Sequence, residues 1–271
     1  MCGGRMQAFA FGLSRPPMDL MLDRRVILLV GGSGSIGRAA RDVLRGEGAV
    51  VVNADSPGTQ PDIPIDVTDE ASVRHAVDAV MSQHGRIDAL VVLAAIFAAK
   101  PAVEISGEEW DRMLGVNLKG SFLAAREVLP HMQRAGFGRI VLLSSLAAQI
   151  GGAVAGAHYA ASKGAVLSLV KSLARQARTP VAREDCATAE LDLRSPRDLD
   201  ITVNAICPGP VESAMTASWT AEERARMAAA IPAGRFAEPR EIADAIAWLV
   251  SPKTAYIHGA RIDVNGGALM A

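Results

Sequence analysis

Cysteine is scarce in this chain and scattered where it occurs. Cys2, Cys186 and Cys207 form no CxxC and stand at no His/Cys ligand spacing. That argues against a disulfide framework and against a metal site, and it leads to the expectation of a reducing, cytoplasmic setting. Long apolar runs are missing too: no stretch approaches the roughly 20 residues a helix needs to span a bilayer, so no membrane association is expected. Nor is there a surplus of positive charge. With 28 Lys and Arg against 29 Asp and Glu, the formal net charge is −1, and nucleic acid is not an expected partner. Acidic residues are absent from Met1 to Pro17, which carries Arg5 and Arg15. Its apolar centre, Ala8-Phe9-Ala10-Phe11, is too short for a secretory signal. Residues 1–24 are expected to be a flexible extension, ranked ahead of an organelle transit peptide, with a natural start near Met18 or Met21 as an alternative.

What the chain does have is apolar content, 50% of 271 residues, enough for one domain with a well-buried core over residues 25–271. Val26 to Val30 is a continuous apolar run suited to a strand buried on both faces. It leads into Gly31-Gly32-Ser33-Gly34-Ser35-Ile36-Gly37 and then a helical pattern through Ala39, Ala40, Val43 and Leu44. Strand, glycine-rich turn and helix is the context in which such glycines signify a dinucleotide site. Bare backbone lets a pyrophosphate approach closely, and the helix N-terminus offers it free N–H groups. Gly32, Gly34 and Gly37 fit GxGxxG, while Gly31, Gly34 and Gly37 fit GxxGxxG. The next strand, Ala49 to Ala54, ends in Asp55, an acid placed to accept from both adenosine ribose hydroxyls. It would repel a 2′-phosphate, and no Arg or Lys lies in the glycine loop or just after Asp55 to offset that. NAD is therefore expected over NADP.

Alternation continues down the chain. Ile63 to Ile65 reads as a short strand and Ala71 to Met81 as a helix. Ala89 to Ala95 and Arg139 to Leu143 read as strands, with helices at Glu108 to Met113 and Leu118 to Met132 between them. A helix runs from Tyr159 to about Ala177, followed by a polar segment, residues 179–200, with charges of both signs. The strand Ile201 to Ile206, a helix near Pro239 to Val250 and the strand Arg261 to Val264 complete it. This order predicts an α/β, doubly wound parallel sheet with ligands at the carboxyl ends of the strands.

Tyr159 and Lys163 stand four residues apart, on one face of a helix. A free tyrosine titrates near pH ~10, and a nearby ammonium lowers that value. A shift of roughly 3 units needs roughly 4 kcal/mol, within reach of a partly desolvated site. The pair reads as a tuned proton-transfer group, with an ordinary helix start carrying one exposed lysine as the alternative.

Taken together these residues resemble the short-chain dehydrogenase/reductase family, from about Arg25 to Gly267. The likeness rests on the glycine loop, Asp66-Val67, Asn117 in Val116-Asn117-Leu118-Lys119-Gly120, Ser145, Tyr159-x-x-x-Lys163 and Pro208-Gly209 with Ser213 downstream. It implies a Rossmann-like, three-layer αβα sandwich and a homotetramer or homodimer. It also implies that Tyr159 is the general acid/base. Lys163 would lower the tyrosine pKa and bind the nicotinamide ribose. Ser145 would hold the substrate oxygen, and Asn117 a water linking Lys163 to solvent. The cofactor would lie against Gly31, Ser33, Gly34, Ser35, Ile36 and Gly37. Asp55 would take the adenosine ribose, Asp66 and Val67 the adenine, and Ala94, Pro208, Gly209 and Val211 further parts of NAD.

The chain departs from the family pattern in four places. Val30 and Ser35 replace the threonine and middle glycine of TGxxxGxG. Val92-Leu93-Ala94-Ala95 replaces Asn-Asn-Ala-Gly, so that backbone must be satisfied differently. Ser145 precedes Tyr159 by 14 residues (159 − 145), one more than expected, with Ser144 an alternative. Residues 179–200 form an atypical insertion, read as a disordered loop or a contact segment. His158 and Cys207 are set aside as non-catalytic, while Met215, Trp219, Met227 and Phe236 hint at a hydrophobic substrate, with loose core packing as the alternative. The reading is an NAD-dependent oxidoreductase interconverting a secondary alcohol and a ketone. The alternatives are an NAD-using epimerase or dehydratase, and a catalytically idle NAD-binding regulator.

Overall fold

In the computed structural model, which describes residues 19–152, 155–179, 199–214, 216–217 and 219–270, seven parallel strands form one sheet. They are β1 (Val26–Val30), β2 (Val50–Asp55), β3 (Ile63–Pro64), β4 (Ala89–Val92), β5 (Phe137–Leu143), β6 (Asp200–Pro208) and β7 (Arg261–Val264), in the order β3-β2-β1-β4-β5-β6-β7. The chain winds outward from β1 through β2 to β3, then crosses to the other side of β1 and lays down β4. That reversal between β1 and β4 leaves a crevice at the carboxyl ends of the two strands. The doubly wound expectation holds, and its reason is visible in β1. Val26, Leu28 and Val30 face one apolar layer while Ile27 and Leu29 face the other.

Eight α-helices accompany the sheet among the described residues: α1 (Ser35–Gly46), α2 (Glu70–His84), α3 (Gly107–Leu114), α4 (Gly120–Ala135), α5 (Ala147–Ile150), α6 (Ala157–Ala177), α7 (Ala221–Ala229) and α8 (Pro239–Val250). One core layer takes Val73, Val77 and Val80 of α2, Leu123 and Val128 of α4, and Val166 and Val170 of α6. The opposite layer takes Ala40 and Leu44 of α1 with Ile242 and Ile246 of α8.

Several expected boundaries shift. The extension thought to run to residue 24 is anchored from Asp19 onward: Leu22 is buried and the Ser251 hydroxyl donates to the Leu20 carbonyl at 2.8 Å. Apolar side chains at Leu20 and Leu22 find a place under the second core layer. Strand β4 stops at Val92 rather than Ala95, because Leu93 and Ala94 both donate back to the Val30 carbonyl, at 2.7 and 3.1 Å. The two helices expected at Glu108–Met113 and Leu118–Met132 are joined by one π turn, Gly115–Lys119. Helix α6 begins at Ala157. Residues 1–18 and 180–198, which hold most of the expected extension and insertion, lie outside the described residues.

Candidate active site

The crevice beside β1 is walled by the glycine loop, where each glycine answers a different steric demand. At Gly31, φ is +87° and a Cβ would sit 2.4 Å from the Ala94 nitrogen, so the loop turns tightly against the end of β4. At Gly37 a Cβ would sit 2.5 Å from the Gly31 carbonyl oxygen, which keeps α1 close to the turn. Gly34 differs: a Cβ there meets nothing nearer than 3.9 Å, and the residue lines the cavity. Its missing side chain keeps the cavity open. The first turn of α1, with Gly34 as N-cap, has no capping side chain, so its N–H groups are presented to the cavity. Asp55 is fixed beside the loop, its carboxylate accepting from Ser33 N at 2.9 Å and Ser56 N at 2.7 Å. An open, donor-rich glycine cradle with a carboxylate at its edge fits a dinucleotide.

Across the cavity stands Tyr159, in the first turn of α6 and mostly buried. Its phenol shares the cavity wall with Ser145, and its ring meets Phe97 edge-on, with centroids 5.0 Å apart. The Ser145 hydroxyl also accepts from Ala147 N at 3.1 Å, which fixes its direction. Ser144 is otherwise engaged, donating to the Lys163 carbonyl at 2.8 Å. The longer run from Ser145 to Tyr159 is absorbed by α5 and by Gly151 and Gly152, both at positive φ.

Lys163 is fully buried, its ammonium donating to the Leu143 carbonyl at 2.9 Å and lying 5.9 Å from the Tyr159 ring centroid. Burial lowers its pKa to about 7. Burial also raises Tyr159, more than the neighbouring Ser145 hydroxyl lowers it. The expectation that Lys163 would lower the tyrosine is therefore corrected. Two neighbouring buried groups both favour their neutral forms, because desolvation is the largest influence on each. Asn117, on the π turn, is buried. Its carboxamide accepts from Ile96 N at 2.9 Å and donates to the Ile96 carbonyl at 3.0 Å and the Ser162 hydroxyl at 3.0 Å. It thus secures the chain just past β4, while the Leu93 and Ala94 amides, where the family's asparagines are missing, are met by the Val30 carbonyl.

A single cavity of about 380 Å³ joins these walls. Against this geometry the comparisons are decisive. A family model described as Enoyl-(Acyl carrier protein) reductase matches residues 32–183 and 196–268. The 3-oxoacyl-[acyl-carrier-protein] reductase FabG of Vibrio cholerae is 32% identical over 92% of this chain and 99% of its own. The meso-2,3-butanediol dehydrogenase of Serratia marcescens is 31% identical over 92% of this chain and 96% of its own. The crystal structure of a short-chain dehydrogenase/reductase from Brucella melitensis, titled glucose/ribitol dehydrogenase, superposes with a TM-score of 0.77 at 31% identity, covering 92% and 98% of the two chains. The chain belongs to the short-chain dehydrogenase/reductase family. Its members are oxidoreductases acting on CH–OH groups with a nicotinamide cofactor.

Within that family frame, the residues expected at the site divide. Gly31, Gly34, Ser35, Ile36, Gly37, Ser145, Tyr159, Pro208, Gly209 and Val211 line the cavity together. Ala94 does not: its backbone turns under Gly31, and Leu93 and Ala95 form the wall there. Asp66 is exposed and bonded to Thr68, which holds its pKa below the usual carboxylate range, and Val67 packs in the core; neither lines the cavity. His158 is buried outside the cavity wall, and burial raises the Cys207 thiol, in keeping with both being set aside.

Two contributions were missed. Arg38, the first residue after the glycine loop, folds back so that its guanidinium donates to the Ser33 carbonyl. A cation does therefore stand at the loop that Asp55 also holds; its proximity to Gly37 in sequence was the available signal. The second is the fastening of the roof by Arg224, the apolar roof residues themselves having been singled out in the sequence. Trp219 and Met227 line the cavity, and Trp219 packs edge-on against buried Phe236 at 5.8 Å. Arg224 of α7 donates to both Glu212 carboxylate oxygens, at 2.6 and 2.5 Å, and to the Thr216 carbonyl at 3.1 Å, with its guanidinium over the Phe236 ring at 4.9 Å. Met215 lies outside the described residues.

Proposed function

We propose that this protein is an NAD-dependent oxidoreductase interconverting a secondary alcohol and a ketone, with Tyr159 as general acid/base. One observation carries the reading: Tyr159 and Ser145 share a single cavity with the glycine cradle beside Asp55. A nicotinamide cofactor bound there supplies or accepts the hydride. The chain's own part is to hold the substrate oxygen between Tyr159 and Ser145 and to move one proton. With its pKa raised by burial, Tyr159 carries that proton at neutral pH. In the reducing direction it gives the proton to the carbonyl oxygen as the carbon receives hydride, and the tyrosinate is reprotonated from solvent. In the oxidising direction Tyr159 first gives its proton to solvent, and the tyrosinate oxygen then takes the hydroxyl proton as the carbon gives up hydride. Lys163, with its pKa near 7, is poised to stabilise the tyrosinate when protonated.

Asp55 supports NAD over NADP, since a carboxylate at that position accepts from ribose hydroxyls and opposes a phosphate. Assembly as a homotetramer or homodimer belongs to the same reading, supported by an apolar groove lined by Leu114, Leu118, Phe122 and Leu169. So does a cytoplasmic setting, supported by the scarcity of cysteine.

The test is to supply NAD or NADP with a panel of secondary alcohols and follow reduced cofactor. Tyr159→Phe should lower kcat by ~10²–10⁴ with cofactor binding retained. Turnover untouched by that substitution overturns the mechanism. Tight NAD binding without turnover of any alcohol favours the regulator, and conversion without release of NADH the epimerase. Faster turnover with NADP, lost in Arg38→Ala, would reverse the cofactor preference.

A further inference from the structure

The cavity beyond Tyr159 has a composition that bears on the substrate, and the inference rests on the oxidoreductase reading above. Its wall there is Phe97, Ile150, Ala155, Trp219 and Met227. Among the described residues, no Lys, Arg, His, Asp or Glu lines any part of the cavity. The few polar side chains in the wall are already engaged. Ser144 donates to the Lys163 carbonyl, and Thr216 donates to the Val211 carbonyl at 2.8 Å and sits 3.5 Å from the Ser213 hydroxyl. The nearest charged pair on the roof, Arg224 and Glu212, is closed on itself in bidentate contact. Ser35 lies on the glycine-loop side. Among the described residues on this side, Ser145 and Tyr159 remain to meet substrate oxygen, with Ser213 held only loosely, and the reacting oxygen occupies the first two. Ile150, 49% exposed although it lines the cavity, extends the apolar surface outward to the mouth.

We propose that the substrate is an uncharged, largely apolar alcohol or ketone whose one polar group is the reacting oxygen. A polyol would bring several hydroxyls into a wall that offers them no partner, and a hydroxy acid would bury a carboxylate with no cation to meet it. Phe97, Trp219 and Met227 supply what an alkyl or aryl body gains from, namely large polarizable surface.

The test uses the purified full-length protein with its preferred cofactor. Secondary alkanols of increasing chain length and cyclohexanol are compared with sorbitol and lactate. Among the alkanols, kcat/KM should rise up to roughly 4-fold per added methylene until the cavity is filled. Sorbitol and lactate should fall ~100-fold or more below the best alkanol. Ile150→Asn should weaken the alkanols and narrow the gap to sorbitol. If sorbitol or lactate matches or exceeds the alkanols in a Tyr159-dependent reaction, the substrate class falls while the oxidoreductase reading stands. A binding arm separates the two failures: acetophenone, sorbitol and lactate are titrated against tryptophan emission, with Trp219→Leu identifying the signal. Saturable quenching by acetophenone alone upholds the apolar site even where no alcohol is turned over, and only the oxidoreductase reading then fails. Absence of acetophenone binding, or tighter binding of lactate or sorbitol, overturns the proposal.

Discussion

The two walls of the cavity are built by different means. The glycine-loop wall is made of backbone: the end of β1 turns against the end of β4, and the start of α1 packs on the turn with no side chain between them. The roof is made of side chains. Trp219 leans on Phe236, and Arg224 ties α7 to Glu212, Thr216 and the Phe236 ring. A backbone wall has few ways to give, because main-chain atoms move only with the strands that carry them. A roof of side chains can be retuned residue by residue while the sheet stays as it is. On the proposed function, that contrast would hold the cofactor against a fixed wall and leave specificity to the roof.

The strongest way to break the backbone wall is Gly37→Val. Its Cβ would meet the Gly31 carbonyl oxygen at 2.5 Å and the Gly32 Cα at 2.6 Å, both main-chain atoms. Overpacking of this kind costs about 1–3 kcal/mol, more where nothing can shift. The expected outcome is a lower urea midpoint together with loss of cofactor binding. Gly34→Ala sharpens the point, since its Cβ meets nothing nearer than 3.9 Å. It should leave the urea midpoint unchanged and weaken cofactor binding alone, as followed by titration. Equal destabilisation by both substitutions would mean that Gly34 serves the turn and not the cavity.

A smaller effect is expected at the roof. Arg224 and Glu212 are both about one-third exposed, so their pairing contributes on the order of 1 kcal/mol or less to stability. Its value lies in where it puts Trp219 and Met227. Arg224→Met should raise KM for the best substrate by ~10-fold while kcat changes little, because uniform binding is lost and the proton-transfer groups are not touched. Arg224→Lys should recover part of the KM, and high salt should move the wild type toward the variant. A fall in kcat equal to the rise in KM would show that the roof also sets the geometry of Tyr159.

The same contrast explains what could be read from the sequence. The backbone wall was legible because glycine is chosen there for steric reasons that leave a fixed spacing, and because Val26–Val30 and Asp55 carry strand and strand-end signals. The pair Tyr159 and Lys163 was legible by helical periodicity. Interactions between side chains distant in sequence were not. Nothing in a linear pattern says that Arg224 finds Glu212, that Arg38 folds back on Ser33, or that Asn117 spends its carboxamide on Ile96. The sign of the Tyr159 shift was misread for a related reason. Proximity to a lysine is visible in the spacing, but the burial of both groups is a property of the assembled cavity.

That burial gives the subtlest expectation, a dependence of stability on pH in the cofactor-free protein. Lys163 titrates near 7 when folded, whereas an unfolded lysine holds its proton to about 10.4. Between those values the unfolded chain binds the extra proton, so this lysine makes stability rise with pH. Tyr159 acts in the opposite sense and higher up. Its folded pKa is raised, so above about 10 the unfolded chain loses the proton first and stability falls. Urea unfolding followed from pH 6 to 11 should therefore show a rising limb that Lys163→Met removes and a falling limb that Tyr159→Phe removes, each leaving the other in place. A rising limb that survives Lys163→Met would mean that Lys163 keeps its charge in the folded state. Desolvation would then no longer outweigh its attraction to the tyrosinate, and a lowered Tyr159 pKa would again become the better account of the pair.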